Sequence, residues 1–305
     1  MPETLLIVPA GCRRYRHYIM KFRARQCGQT LDARAKGFYT EKDASTIACH
    51  QKRGDEAEMK TLQEIIDRSK KLVFFGGAGV STASGIPDFR GENGLYRQKY
   101  GSLTPEMMLS QSFFYLHPDL FFEFYREHML HPDARPNAAH RKLAELERAG
   151  KLTGLVTQNI DGLHRKAGNR LVYELHGSVY ENYCMDCRRP YSLEWLMKTS
   201  GVPRCEDCGA VVKPYVTLYG EAPDHYAMTG ACREISGCDT LIVAGTSLEV
   251  EPAASCLEYF RGKELVVINR EETPADARAT LVLREDIAEV MDALTVRENP
   301  VRSVR

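Results

Sequence analysis

The sequence carries no surplus of either charge. Its 41 Lys and Arg offset 41 Asp and Glu over 305 residues, so nothing global points to nucleic acid or a membrane as the principal partner. It has no apolar run approaching the roughly 18 residues of a membrane span. Internal repeats and low-complexity segments are absent, and Gly (23) and Pro (14) stay near ordinary usage, which excludes a collagen-like chain. No secretory leader is expected, because the apolar stretch Leu5 to Ala10 is too short for one and follows Glu3 instead of a basic segment. What is left is 43% apolar and 27% charged, long enough for one large domain or two modest ones.

Ten cysteines in a chain without a leader point to a reducing, cytoplasmic setting, where clustered cysteines are metal ligands before they are disulfides. Six of them (Cys12, Cys27, Cys49, Cys232, Cys238, Cys256) are scattered and read as packing residues or idle thiols. Basic charge gathers at one end, with 11 Lys and Arg against 4 Asp and Glu over residues 1–54. That lead-in has little apolar periodicity and is expected to be poorly ordered. It fits an organellar targeting segment, a tether, or a dispensable extension ahead of a start at Met59.

From Thr61, Leu62, Ile65 and Ile66 followed by Ser69 predict a short amphipathic helix. The strand Leu72 to Phe75 then runs into Gly76, Gly77, Ala78 and Gly79, a glycine turn expected to open a helix and bind phosphate. Apolar strands recur at 154–157, 240–244 and 265–268, each ending in small or polar residues. Continuous apolar strands alternating with helices imply a parallel sheet covered on both faces, with ligands beyond the strands' carboxyl ends. The aromatic-rich stretch 92–140 predicts a helical insertion.

The sharpest local signal is Cys184-x-x-Cys187, seventeen intervening residues, then Cys205-x-x-Cys208. Two such knuckles supply four thiolates to a closed tetrahedral site, so the expected zinc is structural. His176, between an apolar run and Gly177, is placed as an exposed imidazole at a strand end, where a base is useful.

The motifs GAGVSTASGIPDFRG (77–91), TQNIDGLH (157–164), ELHGS (174–178), the two cysteine knuckles, LYGE (218–221), GTSLEVEPAA (245–254) and INRE (268–271) together resemble the sirtuin family of NAD-dependent protein-lysine deacylases, of the bacterial type. The resemblance covers roughly 59–295. It implies an α/β fold, a Rossmann-like parallel sheet domain with a smaller domain of zinc ribbon and helical insertion. The division is a basic extension over 1–58, Rossmann-like portions over 59–91, 141–179 and 214–295, the insertion over 92–140, the ribbon over 180–213, and a tail over 296–305.

The resemblance further implies that NAD is the co-substrate. Gly77, Ala78, Gly79, Ser81, Gly245, Thr246 and Ser247 would hold its phosphates, and Asn269, Glu271 and Ile287 its adenosine end. Ile86, Asp88, Ile160 and Asp161 map to the nicotinamide pocket, Phe89 and Arg90 to the reacting ribose, and Gln158 and Asn159 beside it. The acyl-lysine amide oxygen would attack C1′ of that ribose and expel nicotinamide. His176, with Asn159 and Arg90 as the other catalytic residues, would then act as general base, so that the acyl group leaves on ADP-ribose. Peptide would enter as an added strand at Thr217, Tyr219, Gly220 and Glu221. Tyr219 stands where the family usually has Phe.

Family members that take succinyl groups carry Tyr and, three residues on, Arg. Here the pair is Tyr125 and His128, so a short neutral acyl group is expected, with protonated His128 able to stand in below roughly pH 6.5. Partners would be acyl-lysine proteins or peptides, without need of nucleic acid or membrane. Two rivals are an ADP-ribosyltransferase, which would not need His176, and a zinc-ribbon DNA-binding module, which would not need Asn159, Asp161 and His176 at strand ends.

Overall fold

The computed structural model describes residues 57–91, 94–97, 100 and 103–297. The basic extension up to residue 56 and the tail from 298 lie outside the described residues.

The amphipathic pattern after Met59 becomes helix α1, residues 57–68, which buries Leu62, Ile65 and Ile66. It leads into β1 (Leu72–Gly76), every residue of which is buried. Around β1 a six-stranded parallel sheet forms with β2 (Leu152–Thr157), β3 (Val172–Glu174), β7 (Thr240–Ala244), β8 (Glu264–Ile268) and β9 (Leu281–Leu283), in the order β3-β2-β1-β7-β8-β9. Side chains alternate across it. Leu72 and Phe74 join one core with α1 and α5 (Ala138–Arg148), while Val73 and Phe75 join another with α8 (His225–Gly237). This burial on both faces accounts for the unbroken apolar runs in the sequence. The chain leaves β1 toward β2 on one side and returns as β7 on the other, so a topological switch point falls at the carboxyl ends of β1 and β7.

Immediately after β1 the structure departs from expectation. The glycine turn opens no α-helix; two 3-10 turns follow, Ala78–Val80 and Thr82–Ser84, closed by Gly85 at φ 82°. Ser and Thr compete for backbone bonds, and Pro87 cannot donate one, so a helix does not propagate here.

The insertion folds as α2 (Pro105–Met108), α3 (Gln111–Leu116) and α4 (Pro118–His128), started by the caps Thr104 and Ser110 and by Pro118. Residue 140 is not a boundary in the structure, because α5 begins at Ala138, capped by Asn137. The cysteine segment supplies an antiparallel sheet of β5 (Pro190–Ser192), β4 (Gly177–Cys184) and β6 (Val212–Val216), with α7 (Leu193–Lys198) beside it. Phe114, Phe121, Phe122 and Tyr125 of the insertion share one core with Val179, Leu196 and Val216 of that segment. The two interruptions of the α/β alternation therefore pack as one smaller body.

Candidate active site

A cavity of about 900 Å³ opens beyond the carboxyl ends of β1, β7 and β8. The turn after β1 contributes Gly77, Ala78 and Gly79, and the loop beyond it Ile86, Asp88, Phe89 and Arg90. The end of β2 adds Gln158, Asn159 and Ile160, and His176 stands at the foot of β4. Thr217, Tyr219, Gly220 and Glu221 close one side; Gly245, Thr246, Ser247, Asn269, Glu271 and Ile287 close the other.

Glycine is required where the β1 and β7 turns meet. A Cβ on Gly77 would lie 2.7 Å from Thr246 Cβ, and one on Gly79 2.8 Å from Gly245 Cα. Gly245 itself sits at φ 58°. The contact is sealed by bonds from Gly79 N–H to Gly245 O (2.9 Å) and from Gly77 N–H to Ala244 O (3.1 Å). Val80 and Ser81 also donate to protein carbonyls, which spends two more of the turn's amides. The polar, glycine-walled turn fits a dinucleotide, with fewer amides to offer than the motif implies.

Ser81 and Asp161 stand behind the cavity instead of lining it. Ser81 Oγ donates to Asp161 Oδ2 (2.6 Å), Asn159 Nδ2 donates to Ser81 Oγ (3.0 Å), and Asp161 Oδ1 accepts from Leu163 N–H (2.8 Å). This buried chain of bonds fixes Asn159, so Ser81 and Asp161 position the asparagine. Asp88 lines the cavity and also accepts from Gly91 N–H at 3.0 Å. Arg90 pairs with Glu249 (2.9 Å) and lies over Tyr96, 5.1 Å from the ring centre. Tyr96 and Tyr219 bond hydroxyl to hydroxyl.

His176 is half-buried, not exposed as expected. Its Nδ1 lies 3.0 Å from Gln158 O. A carbonyl only accepts, so Nδ1 carries the proton and Nε2 keeps its lone pair. Burial lowers the imidazole's pKa, the bond to Gln158 O opposing it only in part. At neutral pH the ring is a neutral, oriented base.

Tyr125 is fully buried and lines the cavity with Leu109, Met129, Val216 and Leu218. Among these, Leu109 and Met129 had no distinguishing signal, since in sequence they look like any core residue of the insertion. His128 does not line the cavity: its ring packs on Tyr100 and Phe124, and Nε2 faces Glu127 at 3.6 Å. Tyr125 on α4 and Met129, the residue that caps its end, line the cavity at spacing i, i+4, and His128 falls beside that face. Arg126 points away as well, donating to Thr199 Oγ1 at 2.9 Å.

The four cysteines converge, with all four Sγ atoms within 4.8 Å of one another. Cys184 and Cys208 are 3.4 Å apart at sulfur, Cys187 and Cys205 3.6 Å. Tetrahedral zinc with Zn–S near 2.3 Å requires sulfur separations of roughly 3.8 Å, so the donor set fits that ion and leaves no open position.

The profile of the Sir2 family matches residues 77–252. An NAD-dependent protein deacetylase of Clostridium acetobutylicum is 51% identical over 239 residues, 78% of this chain and 98% of the relative. The chain belongs to the Sir2 family. A Staphylococcus aureus NAD-dependent protein deacetylase is 40% identical over 238 residues, 78% of this chain and 98% of its own length. Among solved Sir2 structures, one with deacetylated peptide and 3′-O-acetyl ADP-ribose superposes with a TM-score of 0.72 at 40% identity, covering 77% of this chain and 96% of its own. Another, bound to a propionylated peptide, gives 0.69 at 38% identity, covering 77% and 95%. The Sir2 match spans the glycine turn, His176, the cysteine cluster and the segment 217–221.

Proposed function

We propose that this Sir2 chain is an NAD-dependent protein-lysine deacetylase that transfers the acyl group to ADP-ribose and releases nicotinamide. The observation that carries this is His176, a neutral imidazole with Nε2 unprotonated on the same cavity as the glycine turn and the segment 217–221. Peptide lies along 217–221, where Thr217 N–H is already held by His176 O (2.9 Å), so the base and the substrate segment move together. NAD lies with its phosphates at Ala78, Thr246 and Ser247, its adenosine toward Asn269, Glu271 and Ile287, and its nicotinamide toward Ile86, Asp88 and Ile160. Arg90 and Phe89 cover the reacting ribose, and Asn159, held by Ser81, orders its hydroxyls. After the acyl oxygen displaces nicotinamide at C1′, His176 Nε2 takes a ribose hydroxyl proton, and that oxygen attacks the acyl carbon.

Zinc, held by Cys184, Cys187, Cys205 and Cys208, supplies structure and no Lewis acidity to this reaction. Among the described residues no helix is long and apolar enough to cross a membrane. We read the cysteine cluster as metal-holding thiolates, which suits a reducing cytoplasm. The enzyme acts on acyl-lysine proteins without nucleic acid or a membrane surface.

Full-length protein incubated with an acetyl-lysine peptide and NAD is expected to release nicotinamide and O-acetyl-ADP-ribose in equal amounts, read by mass. Nicotinamide release with ADP-ribose attached to the peptide would instead establish a ribosyltransferase, and no turnover would overturn the proposal.

A further inference from the structure

Two cysteines outside the metal cluster lie side by side. Cys232 stands on α8 and Cys256 in the 3-10 turn Ala254–Tyr259, 24 residues apart in sequence, with their sulfurs 3.6 Å apart. Helix α8 packs directly on this turn, within the core on that face of the sheet. The two thiols differ in access. Cys256 is 1% exposed, whereas Cys232 is half-buried and open to a small reagent. A disulfide needs sulfurs about 2.05 Å apart. The elements that carry the two thiols are already in contact and their sulfurs are already neighbours.

We propose that Cys232 and Cys256 form a dithiol that a hydroperoxide closes to a reversible disulfide. The Cys232 thiolate attacks the peroxide oxygen; the O–O bond breaks, an S–O bond forms, and the alkoxide or hydroxide leaves as alcohol or water. Cys256 sulfur then attacks the Cys232 sulfenic sulfur. The S–S bond forms as the S–O bond breaks, and the Cys256 proton departs with the hydroxide as a second water. Two thiols and one hydroperoxide thus become one disulfide, one alcohol or water, and one water. The turn that holds Cys256 continues from Val250, Glu251 and Pro252 in the cavity wall, so the bond ties that wall to α8. Burial raises the Cys256 thiol's pKa, so the more accessible Cys232 is the thiol that meets peroxide first.

The test treats full-length, zinc-loaded protein with hydrogen peroxide, blocks remaining thiols with N-ethylmaleimide, and maps peptides without reduction. The expected product is a Cys232–Cys256 linked peptide about 2 Da lighter than its two thiol parts, reversed by dithiothreitol, formed before a metallochromic dye detects zinc release. Cys256→Ser should instead leave Cys232 as a sulfenic acid that dimedone traps. The proposal is overturned if wild-type Cys232 stays reduced, couples to another cysteine, accumulates as sulfenic or sulfinic acid, or reacts only after zinc is lost.

Discussion

Lys213 and Glu221 form a largely buried ion pair, Nζ to Oε2 3.1 Å, that folds the segment 217–221 around a single ammonium group. The same Nζ donates to Val216 O at 3.0 Å, and the same carboxylate oxygen accepts from Leu218 N–H at 3.0 Å. Glu221 therefore shapes the segment more than it reaches for substrate. Burial lowers the Lys213 pKa and the carboxylate opposes the shift, so the charged pair is held by its own internal partners.

Removing one member leaves the other charge buried and alone, a cost of about 3–5 kcal/mol. Lys213→Met should lower stability by that order and raise the peptide KM at least tenfold, with the KM for NAD nearly unchanged. Lys213→Met combined with Glu221→Met should recover much of the stability without recovering peptide affinity. Denaturant titration and steady-state kinetics read both. Equal rises in the two KM values would show that the pair supports the cavity generally and does not shape the peptide segment.

His176→Ala should reduce deacetylation by about 10²–10⁴ while NAD still binds. Because burial lowers the pKa of His176, the acid limb of kcat/KM in the wild type should fall below 6.5, the ordinary imidazole value. The base is deprotonated above its pKa, so activity is full at neutral pH and is lost as pH falls through that limb. A variant retaining more than a tenth of wild-type turnover, or an acid limb above 6.5, would remove His176 from the role of base.

The sheet was legible because strands buried on both faces leave unbroken apolar runs, and β1, β7 and β8 are all written that way. Strand ends were legible as polar clusters, which brought Gln158, His176, Gly245 and Asn269 to one cavity. Two kinds of feature were not. The bond between Ser81 and Asp161 was one, because a sequence shows which polar residues gather but not which of them bond to each other. The placing of His128 was the other: i, i+3 from Tyr125 and i, i+4 are neighbours on a helix, and the ring packs against Tyr100 while Met129 lines the cavity.

The single tryptophan, Trp195, reports on the metal module. Its ring lies 4.0 Å from that of Tyr191, whose hydroxyl donates to Cys205 Sγ at 3.2 Å. Chelation or Cys184→Ser should change tryptophan emission first and activity afterwards, because a four-thiolate site contributes directly to local folding. Metal-free protein with native emission and full activity would contradict a structural zinc.

His140 and His164 pack with ring centres 4.6 Å apart and planes tilted by 50°, and both nitrogens of His164 lack a hydrogen-bond partner among the described residues. Burial is the main cause of both depressed pKa values, to about 4 for His140 and well below 6.5 for His164. The unfolded imidazoles bind protons near 6.5 and the folded ones do not, so stability is full above that pH and falls as pH drops toward 4. The His140 share is on the order of 3 kcal/mol. Gln at position 140 can still serve the capping box at Asn137, so His140→Gln should lose less stability than wild type between pH 7 and 5. An equal loss in urea denaturation would place the acid sensitivity elsewhere.

Acyl preference follows from what surrounds Tyr125. The cavity there is walled by Leu109, Met129, Val216 and Leu218, and among the described residues the Lys or Arg side chains on the cavity lining are Arg90 and Arg270. Both are engaged, Arg90 with Glu249 at 2.9 Å and Arg270 with Asp286 at 2.8 Å. A succinyl carboxylate entering beside Tyr125 would lose water without gaining a guanidinium, which costs several kcal/mol. Since about 1.4 kcal/mol is tenfold, acetyl should be preferred over succinyl by at least about 100-fold in kcat/KM. His128 is turned toward Tyr100 and Glu127, so its protonation cannot supply the missing cation. The acetyl to succinyl ratio should therefore stay flat between about pH 8 and 6, across the ordinary imidazole value. Matched acetyl and succinyl peptides measured over that range test both statements. A ratio that falls as pH falls would mean that His128 swings into the cavity when peptide binds, and a succinyl preference at pH 8 would mean that Arg126 leaves Thr199 to do so.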